Sequence, residues 1–276
     1  MKIIEKNNNL EIFELNNFLL KDTLDCGQAF RWREINENTF EGVAFNKYLK
    51  IEFINDHIVL YDTTMEDFNS VWKSYFDFER NYQEIIDIIS ENQIIKDACT
   101  FTNGIRILNQ EPWEALCSFI ISQNNNIPRI KGIIERLCEN FGDENKIGLY
   151  SFPTAEKIAS LSLDDLQVLR SGFRAKYILD AAKKVSSGEI DLYKLKFLDI
   201  DTARTELMKI YGVGAKVADC TLLFGLGHIS AFPKDVWIKK AMVSLFDGEL
   251  PSCTKGFEGI AQQYIFHYVR NSNLEI

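Results

Sequence analysis

Lys216 lies just past a two-glycine turn in the run Tyr211-Gly-Val-Gly-Ala-Lys216, and Asp235 follows nineteen residues later in Phe232-Pro-Lys-Asp235. Together the two could do chemistry that neither does alone. A neutral lysine amine attacks an electrophilic carbon and forms a Schiff base, and a carboxylate close by stabilises the positive charge that develops there. Lys216 falls in the first turn of an expected helix, whose positive end disfavours an ammonium, so a purely structural lysine is poorly placed there. The competing readings are a solvated phosphate contact for Lys216 and, for Asp235, a cap on the helix expected over residues 236–245.

These residues need elements to hold them. Ala203, Leu207 and Ile210 share one helical face, and Thr202 is available as N-cap, which predicts a helix ending at Tyr211. Gly212 and Gly214 allow positive φ and close backbone approach, and the apolar pattern resumes at Val217, Ala218, Cys220, Leu222 and Phe224. The result is a helix, a hairpin and a helix, whose exposed N–H groups form a sequence-independent seat for a phosphate. Upstream, Trp113, Leu116, Cys117, Ile120 and Ile121 recur at helical spacing until Asn124-Asn-Asn126 breaks the pattern. A second helix starts near Pro128 and runs to Phe141. Arg129 sits in its first turn and should have a negative or polar partner. Residues 163–169 form another expected helix with Gly172 as its C-cap, and Phe173-Arg174 opens the next element.

Residues 29–32, 39–45, 48–54 and 57–61 are short β-type runs separated by Asn-rich turns, and they predict an antiparallel meander. Residues 67–78 and 82–99 have amphipathic helical patterns, and helices with loops follow residue 108. The fold class is therefore α+β, with an N-terminal antiparallel sheet domain over residues 1–100, flanked by helices, and an all-α body over 101–276. The formal charge of −9 runs against the basic footprint of a nucleic-acid binder. Residues 1–100, however, hold 10 Lys+Arg against 19 Asp+Glu, whereas residues 101–276 hold 21 of each. The helical part can thus present a basic face, and Lys209, Lys216, Lys234, Lys239 and Lys240 cluster around the hairpin and loop. The N-terminus is charged and Asn-rich where a signal peptide needs an apolar run, and six scattered cysteines without a CxxC imply reduced thiols. A cytoplasmic protein, nucleoid-associated in a prokaryote, is the expectation.

The segment from Gly212 to Asp235 resembles the helix-hairpin-helix, Gly/Pro-Asp motif of the base-excision DNA glycosylases. In that superfamily a lysine at this position implies a bifunctional glycosylase/AP lyase, with the active site in the cleft between helical subdomains. Three further motifs, Cys26-Gly-Gln-Ala-Phe-Arg-Trp32, Ser122-Gln-Asn-Asn-Asn-Ile-Pro-Arg129 and Gly172-Phe-Arg174, narrow the resemblance to the 8-oxoguanine DNA glycosylases over nearly the full chain. The resemblance implies Lys216 as nucleophile and Asp235 as the stabilising carboxylate. It implies a lesion pocket in which the Gly27 carbonyl accepts the N7–H of the oxidised base, Cys220 and Phe266 flank it and Gln262 reads its Watson–Crick edge. Asn124 would fill the gap left by the base, Phe173 would be a wedge, Arg129 and Arg174 would contact the orphaned cytosine, and Gly212 and Gly214 would hold the DNA backbone.

Two positions depart from the family pattern: Trp237 stands where animal members have a histidine, and Phe173 replaces a tyrosine. Relatives resembling endonuclease III carry four closely spaced C-terminal cysteines for an iron–sulfur cluster, and only Cys253 lies in the last fifty residues here. No redox cofactor or catalytic metal is expected; a structural cation at the hairpin, on carbonyls of residues 210–213, is allowed but not needed. The expected partner is double-stranded DNA containing oxidised guanine, opposite cytosine, bound by a monomer with no membrane association. Formamidopyrimidine guanine is a further candidate substrate. The rival readings are a glycosylase for another damaged base, such as an alkylated adenine, and a non-catalytic helix-hairpin-helix DNA-binding protein.

Overall fold

Short β-type runs separated by tight turns fill residues 2–13 and 32–61, with a short helix, Leu20–Leu24, between them. In the computed structural model, which describes residues 1–144, 148–272 and 274, these runs form six antiparallel strands. β1 (Lys2–Lys6), β2 (Asn9–Phe13), β3 (Trp32–Asn36), β4 (Thr39–Ala44), β5 (Lys47–Ile54) and β6 (His57–Tyr61) pair in the order β1-β2-β6-β5-β4-β3. The register aligns Phe40, Ile51, Leu60 and Leu10 in one row across four strands, and all four are buried. A one-residue slip would turn that row to solvent, so this register is strongly specified.

The β1–β2 hairpin was not among the expected strands. β1 is mostly exposed and offers no period-two signal, β2 alternates at Leu10 and Ile12 over only five residues, and the turn between them uses Asn7 and Asn8 with φ of 51° and 65°. Two consecutive left-handed residues suit a tight hairpin turn, and asparagine tolerates them. Residues 29–31, expected to be extended, form a bend, and the strand begins only at Trp32. The helix expected over 82–99 splits into Tyr82–Ile89 and Gln93–Phe101, because Asn92 accepts hydrogen bonds from the N–H groups of Ile94 and Ile95 and starts a new helix.

Two apolar cores result. One lies under the sheet and takes Phe68, Trp72 and Phe76 from the helical run after β6, together with Leu108. The other unites the helices Tyr82–Ile89 and Gln93–Phe101 with the rest of the helical body. At its centre the helix Pro112–Ser122 packs on Ala215–Phe224, with the rings of Phe119 and Phe224 stacked at 5.3 Å. This packing brings the C-terminal end of the first helix to the N-terminal end of the second. The site is built where they meet. No helix among the described residues is long and apolar enough to cross a membrane.

Candidate active site

The first hairpin helix, Ile200–Leu207, is capped by Asp199, whose carboxylate accepts from Thr202 N at 3.0 Å, so Thr202 is inside the helix and is not its cap. That helix ends at Leu207, short of Tyr211, and a turn closed by Val213 N–H donating to the Ile210 carbonyl follows. Gly212 has φ +81°, and a Cβ there would lie 2.4 Å from the Tyr177 ring, so both backbone and packing require glycine. Gly214 differs, with φ −102° and open space around it. The helix Ala215–Phe224 then begins with no side-chain cap, leaving its first-turn N–H groups facing outward. An ion pair, Arg204 Nε to Asp219 Oδ1 at 2.6 Å, ties the two hairpin helices together.

Lys216 and Asp235 line one cleft of about 700 Å³, together with Gly27, Phe30, Asn124, Gly214, Trp237, Phe266 and Arg270. Lys216 Nζ donates to Ser122 Oγ at 3.2 Å and lies 5.4 Å from the Phe119 ring centroid. It forms no ion pair with Asp235. Asp235 Oδ1 accepts from Ile238 N at 2.8 Å as N-cap of the helix Val236–Phe246. Capping and cleft lining therefore coexist in one carboxylate: one oxygen satisfies the helix, and the other makes no hydrogen bond among the described residues. Cys220, one turn past Lys216, is buried behind it. Burial pushes its thiol up to about 11, an effect that Lys216 only partly offsets, so at neutral pH it is an uncharged wall that does not compete as a nucleophile.

The opposite wall comes from the sheet domain. Gly27 has φ +90°, and its carbonyl accepts no hydrogen bond from the described residues. The buried Gln28 fixes this bend: its amide donates to the carbonyls of Thr23 and Arg106, both at 2.8 Å, and accepts from Leu108 N at 2.9 Å. Gln110 donates to the Gln28 carbonyl at 2.6 Å. With both ends of Gln28 held, the neighbouring Gly27 carbonyl is oriented but left unpaired. Phe266 sits on the cleft with Arg270 over its ring at 5.6 Å. Gln262 is buried off the cleft surface, its oxygen accepting from Gln263 Nε2 at 2.8 Å while its own Nε2 has no partner among the described residues. Trp237 lines the cleft, and its indole can offer an N–H donor but no acceptor.

Of the remaining predicted residues Asn124 lines the cleft, whereas Arg129, Phe173 and Arg174 are not part of its lining. Asn124 has φ 47°, and Asn126 caps the helix Ile127–Phe141 by accepting from Arg129 N at 3.0 Å. The expected partner for Arg129 does not exist among the described residues: its guanidinium is exposed and free of hydrogen bonds and ion pairs. Phe173 is exposed, with its ring 5.6 Å from Tyr177 and 4.5 Å from the Arg174 guanidinium. The helix expected before it is a short 3-10 turn, Asp165–Leu169, and its C-cap is Arg170 in the left-handed region, with Gly172 two residues beyond. Arg174 is buried and does not pair with Asp180, which instead accepts from Tyr211 N and faces Lys184. Its Nε and Nη2 bind the Gln123 carbonyl, Nη2 also reaches Asn124 O at 2.9 Å, and Nη1 reaches Ser171 O at 3.2 Å. Of five guanidinium donors, one remains free.

This asymmetry predicts different losses. Arg129→Ala should leave the melting temperature unchanged within about a degree, since an exposed unpaired side chain contributes little. Arg174→Ala removes the donors of three buried or half-buried carbonyls and should cost about 2 kcal/mol, read by thermal or urea unfolding. Equal melting temperatures for the two variants would contradict the buried role of Arg174. Sequence reading missed Ser122, Phe119 and Gln28 as site residues, although Ser122 and Gln28 lie inside motifs it had singled out. Their roles depend on partners far along the chain.

Residues 12–116 match the family model of the 8-oxoguanine DNA glycosylase, N-terminal domain, and residues 117–249 match that of the HhH-GPD superfamily base excision DNA repair protein. The chain is similar to an N-glycosylase/DNA lyase of Saccharomyces cerevisiae, 32% identical over 80% of this chain and 66% of that protein. It therefore spans just under two thirds of the yeast protein's length. A probable N-glycosylase/DNA lyase of Methanothermobacter thermautotrophicus is 28% identical over 94% of this chain and 96% of that one. Among solved structures, the Clostridium acetobutylicum 8-oxoguanine glycosylase/lyase, in complex with double-stranded DNA containing cytosine opposite 8-oxoG, superposes with a TM-score of 0.93. The two are 39% identical, and the match covers 99% of both chains.

Proposed function

The chain belongs to the 8-oxoguanine DNA glycosylases of the HhH-GPD base excision repair superfamily, and from that membership we propose how its cleft acts. It is a DNA glycosylase with AP lyase activity that removes 8-oxoguanine from double-stranded DNA. A base is reached only after leaving the stack, at a cost of about a few kcal/mol, which Asn124 in the gap and Phe173 as a wedge would offset. Arg129, exposed and unpaired, and the one free donor of Arg174 would read the orphaned cytosine. The open space at Gly214 and the uncapped first turn behind it would seat a backbone phosphate, with Gly212 shaping the hairpin.

In the pocket the unpaired Gly27 carbonyl accepts the N7–H that oxidation adds. Unmodified guanine has a lone pair at N7 and would set two acceptors against each other in a desolvated site. Cys220 and Phe266 flank the base, and Gln262 reads its Watson–Crick edge. Lys216 Nζ bonds to C1′ as the C1′–N9 bond breaks; the electron pair leaves with the base, which takes up a proton. Asp235 stabilises the cationic sugar through its uncommitted oxygen. Ring opening gives a Schiff base that acidifies the C2′ hydrogen, and loss of that proton expels the 3′ phosphate. An amine and a carboxylate suffice for these steps, so the proposal requires no cofactor. A cation at the hairpin carbonyls would be structural. One chain supplies every group, so the reaction needs no second copy.

The observation that carries this reading is that Lys216 and Asp235 open onto one cleft without pairing to each other. The amine is not neutralised by the carboxylate meant to serve the sugar. Duplexes carrying 8-oxoguanine opposite each of the four bases test the reading. Base release with strand nicking should be fastest opposite cytosine. Release of 3-methyladenine without nicking, and no action on 8-oxoguanine, would instead favour the alkylated-base reading.

A further inference from the structure

Lys216 Nζ donates to Ser122 Oγ at 3.2 Å, and the Cys220 thiol one turn on also lies within reach of the amine. The hydroxyl's own proton is already committed, because Ser122 Oγ donates to the Phe119 carbonyl at 2.8 Å. Toward Lys216 the oxygen can therefore act only as an acceptor. A fixed acceptor takes one of the three N–H of the ammonium, so once a proton is lost the lone pair is restricted to the two remaining tetrahedral positions. The Phe119 ring beneath Nζ narrows that orientation further. Ser122 is the last residue of the helix Pro112–Ser122, and the next two carbonyls, of Gln123 and Asn124, are the ones Arg174 grips. A single peptide unit thus separates the nucleophile's acceptor from an arginine assigned to the opposite strand.

We propose that Ser122 is the positioning residue for the Lys216 amine, and that the segment 122–124 carries the state of Arg174 to it. The proposal rests on the glycosylase/lyase reading above. When the free Nη1–H of Arg174 engages the opposite base, the planar guanidinium moves as a unit, so the hold of its Nε and Nη2 on the Gln123 carbonyl changes and Ser122 Oγ shifts with that peptide. The identity of the opposite base then enters the rate of chemistry as well as the affinity.

The test compares Ser122→Thr with Ser122→Val, side chains of nearly equal volume that differ in the hydroxyl. Single-turnover base release is measured on 8-oxoguanine duplexes opposite cytosine and adenine, and borohydride trapping on a preformed abasic duplex, which isolates the amine from base reading. Ser122→Val should lose roughly tenfold to a hundredfold in both rates, as expected of a misaimed nucleophile, with the lesion-duplex Kd within about threefold. Ser122→Thr should stay within about threefold of wild type in both. Equal trapping rates for Val, Thr and wild type would overturn the positioning role. Combining Ser122→Val with Arg174→Ala should give a rate loss smaller than the product of the single losses, and the cytosine-to-adenine rate ratio should fall in Ser122→Val. Multiplicative losses with an unchanged ratio would overturn the coupling. A wild type that traps no abasic adduct would overturn the glycosylase/lyase reading itself, an outcome distinct from both.

Discussion

Lys216→Gln is expected to eliminate the borohydride-trapped adduct and to slow base release by at least about 10³-fold, the scale of losing a nucleophile. Glutamine keeps much of the side-chain length and can still donate to Ser122 Oγ, so the loss isolates the amine. Stability should not fall. Lys216 has no ion pair to forfeit, and removing a cation from the first turn of Ala215–Phe224 relieves an unfavourable helix-end interaction worth about 0.3–1 kcal/mol. Affinity for a lesion duplex should drop only modestly, by the loss of one charge near the backbone. Single-turnover kinetics, a binding titration and a melting curve on one preparation separate these three quantities. A variant that still traps, or that binds DNA a hundredfold more weakly, would remove Lys216 from the chemistry.

Asp235→Asn should slow base release by about 10²- to 10³-fold, the usual consequence of removing one preorganised charge from a developing ionic transition state. The geometry makes this substitution unusually clean. Asp235 Oδ1 accepts from Ile238 N, and asparagine caps helices as well as aspartate does, so Asp235→Asn keeps the cap and loses only the charge. Asp235→Ala loses both and should destabilise by a further 1 kcal/mol or so. Melting temperatures of wild type and Asp235→Asn should therefore agree while their rates diverge. If Asp235→Asn cleaves at the wild-type rate and only Asp235→Ala is impaired, the carboxylate is a helix cap and nothing more.

The hairpin was legible in the sequence because its signals are local: a glycine that must take positive φ, an apolar pattern that restarts at once, and a lysine at the seam. The central strands were legible for a similar reason: short β-branched and aromatic runs are bounded by Asn turns, and Leu49 and Ile51 alternate in burial with their neighbours. β1 was not, because an exposed edge strand has little alternation to read, and β2 alternates at Leu10 and Ile12 over five residues only. Caps shifted where two residues competed. Asp199 outbid Thr202 as a carboxylate acceptor at the start of its helix, and Arg170 ended a turn that Gly172 was expected to end.

At the site, residue types were legible and partnerships were not. Ser122 and Lys216 are 94 positions apart, and nothing in either neighbourhood indicates that one accepts from the other. Arg174 and Arg129 look alike in sequence, each opening a helix after a break. One is buried on three carbonyls and the other is exposed and unpaired. Gln262 and Phe266 were expected to share one pocket wall, yet Gln262 is buried off the cleft surface whereas the half-buried Phe266 lines it. Such differences arise from tertiary packing between elements, which periodicity within one element does not encode.

The most direct test of the central claim is to trap the wild-type protein with borohydride on a duplex holding 8-oxoguanine opposite cytosine, digest the adduct and locate the modified residue by mass spectrometry. One covalent sugar adduct is expected, on the peptide containing Lys216 and at that residue. Base release without any adduct, or an adduct on another lysine or on the N-terminal amine, would contradict it.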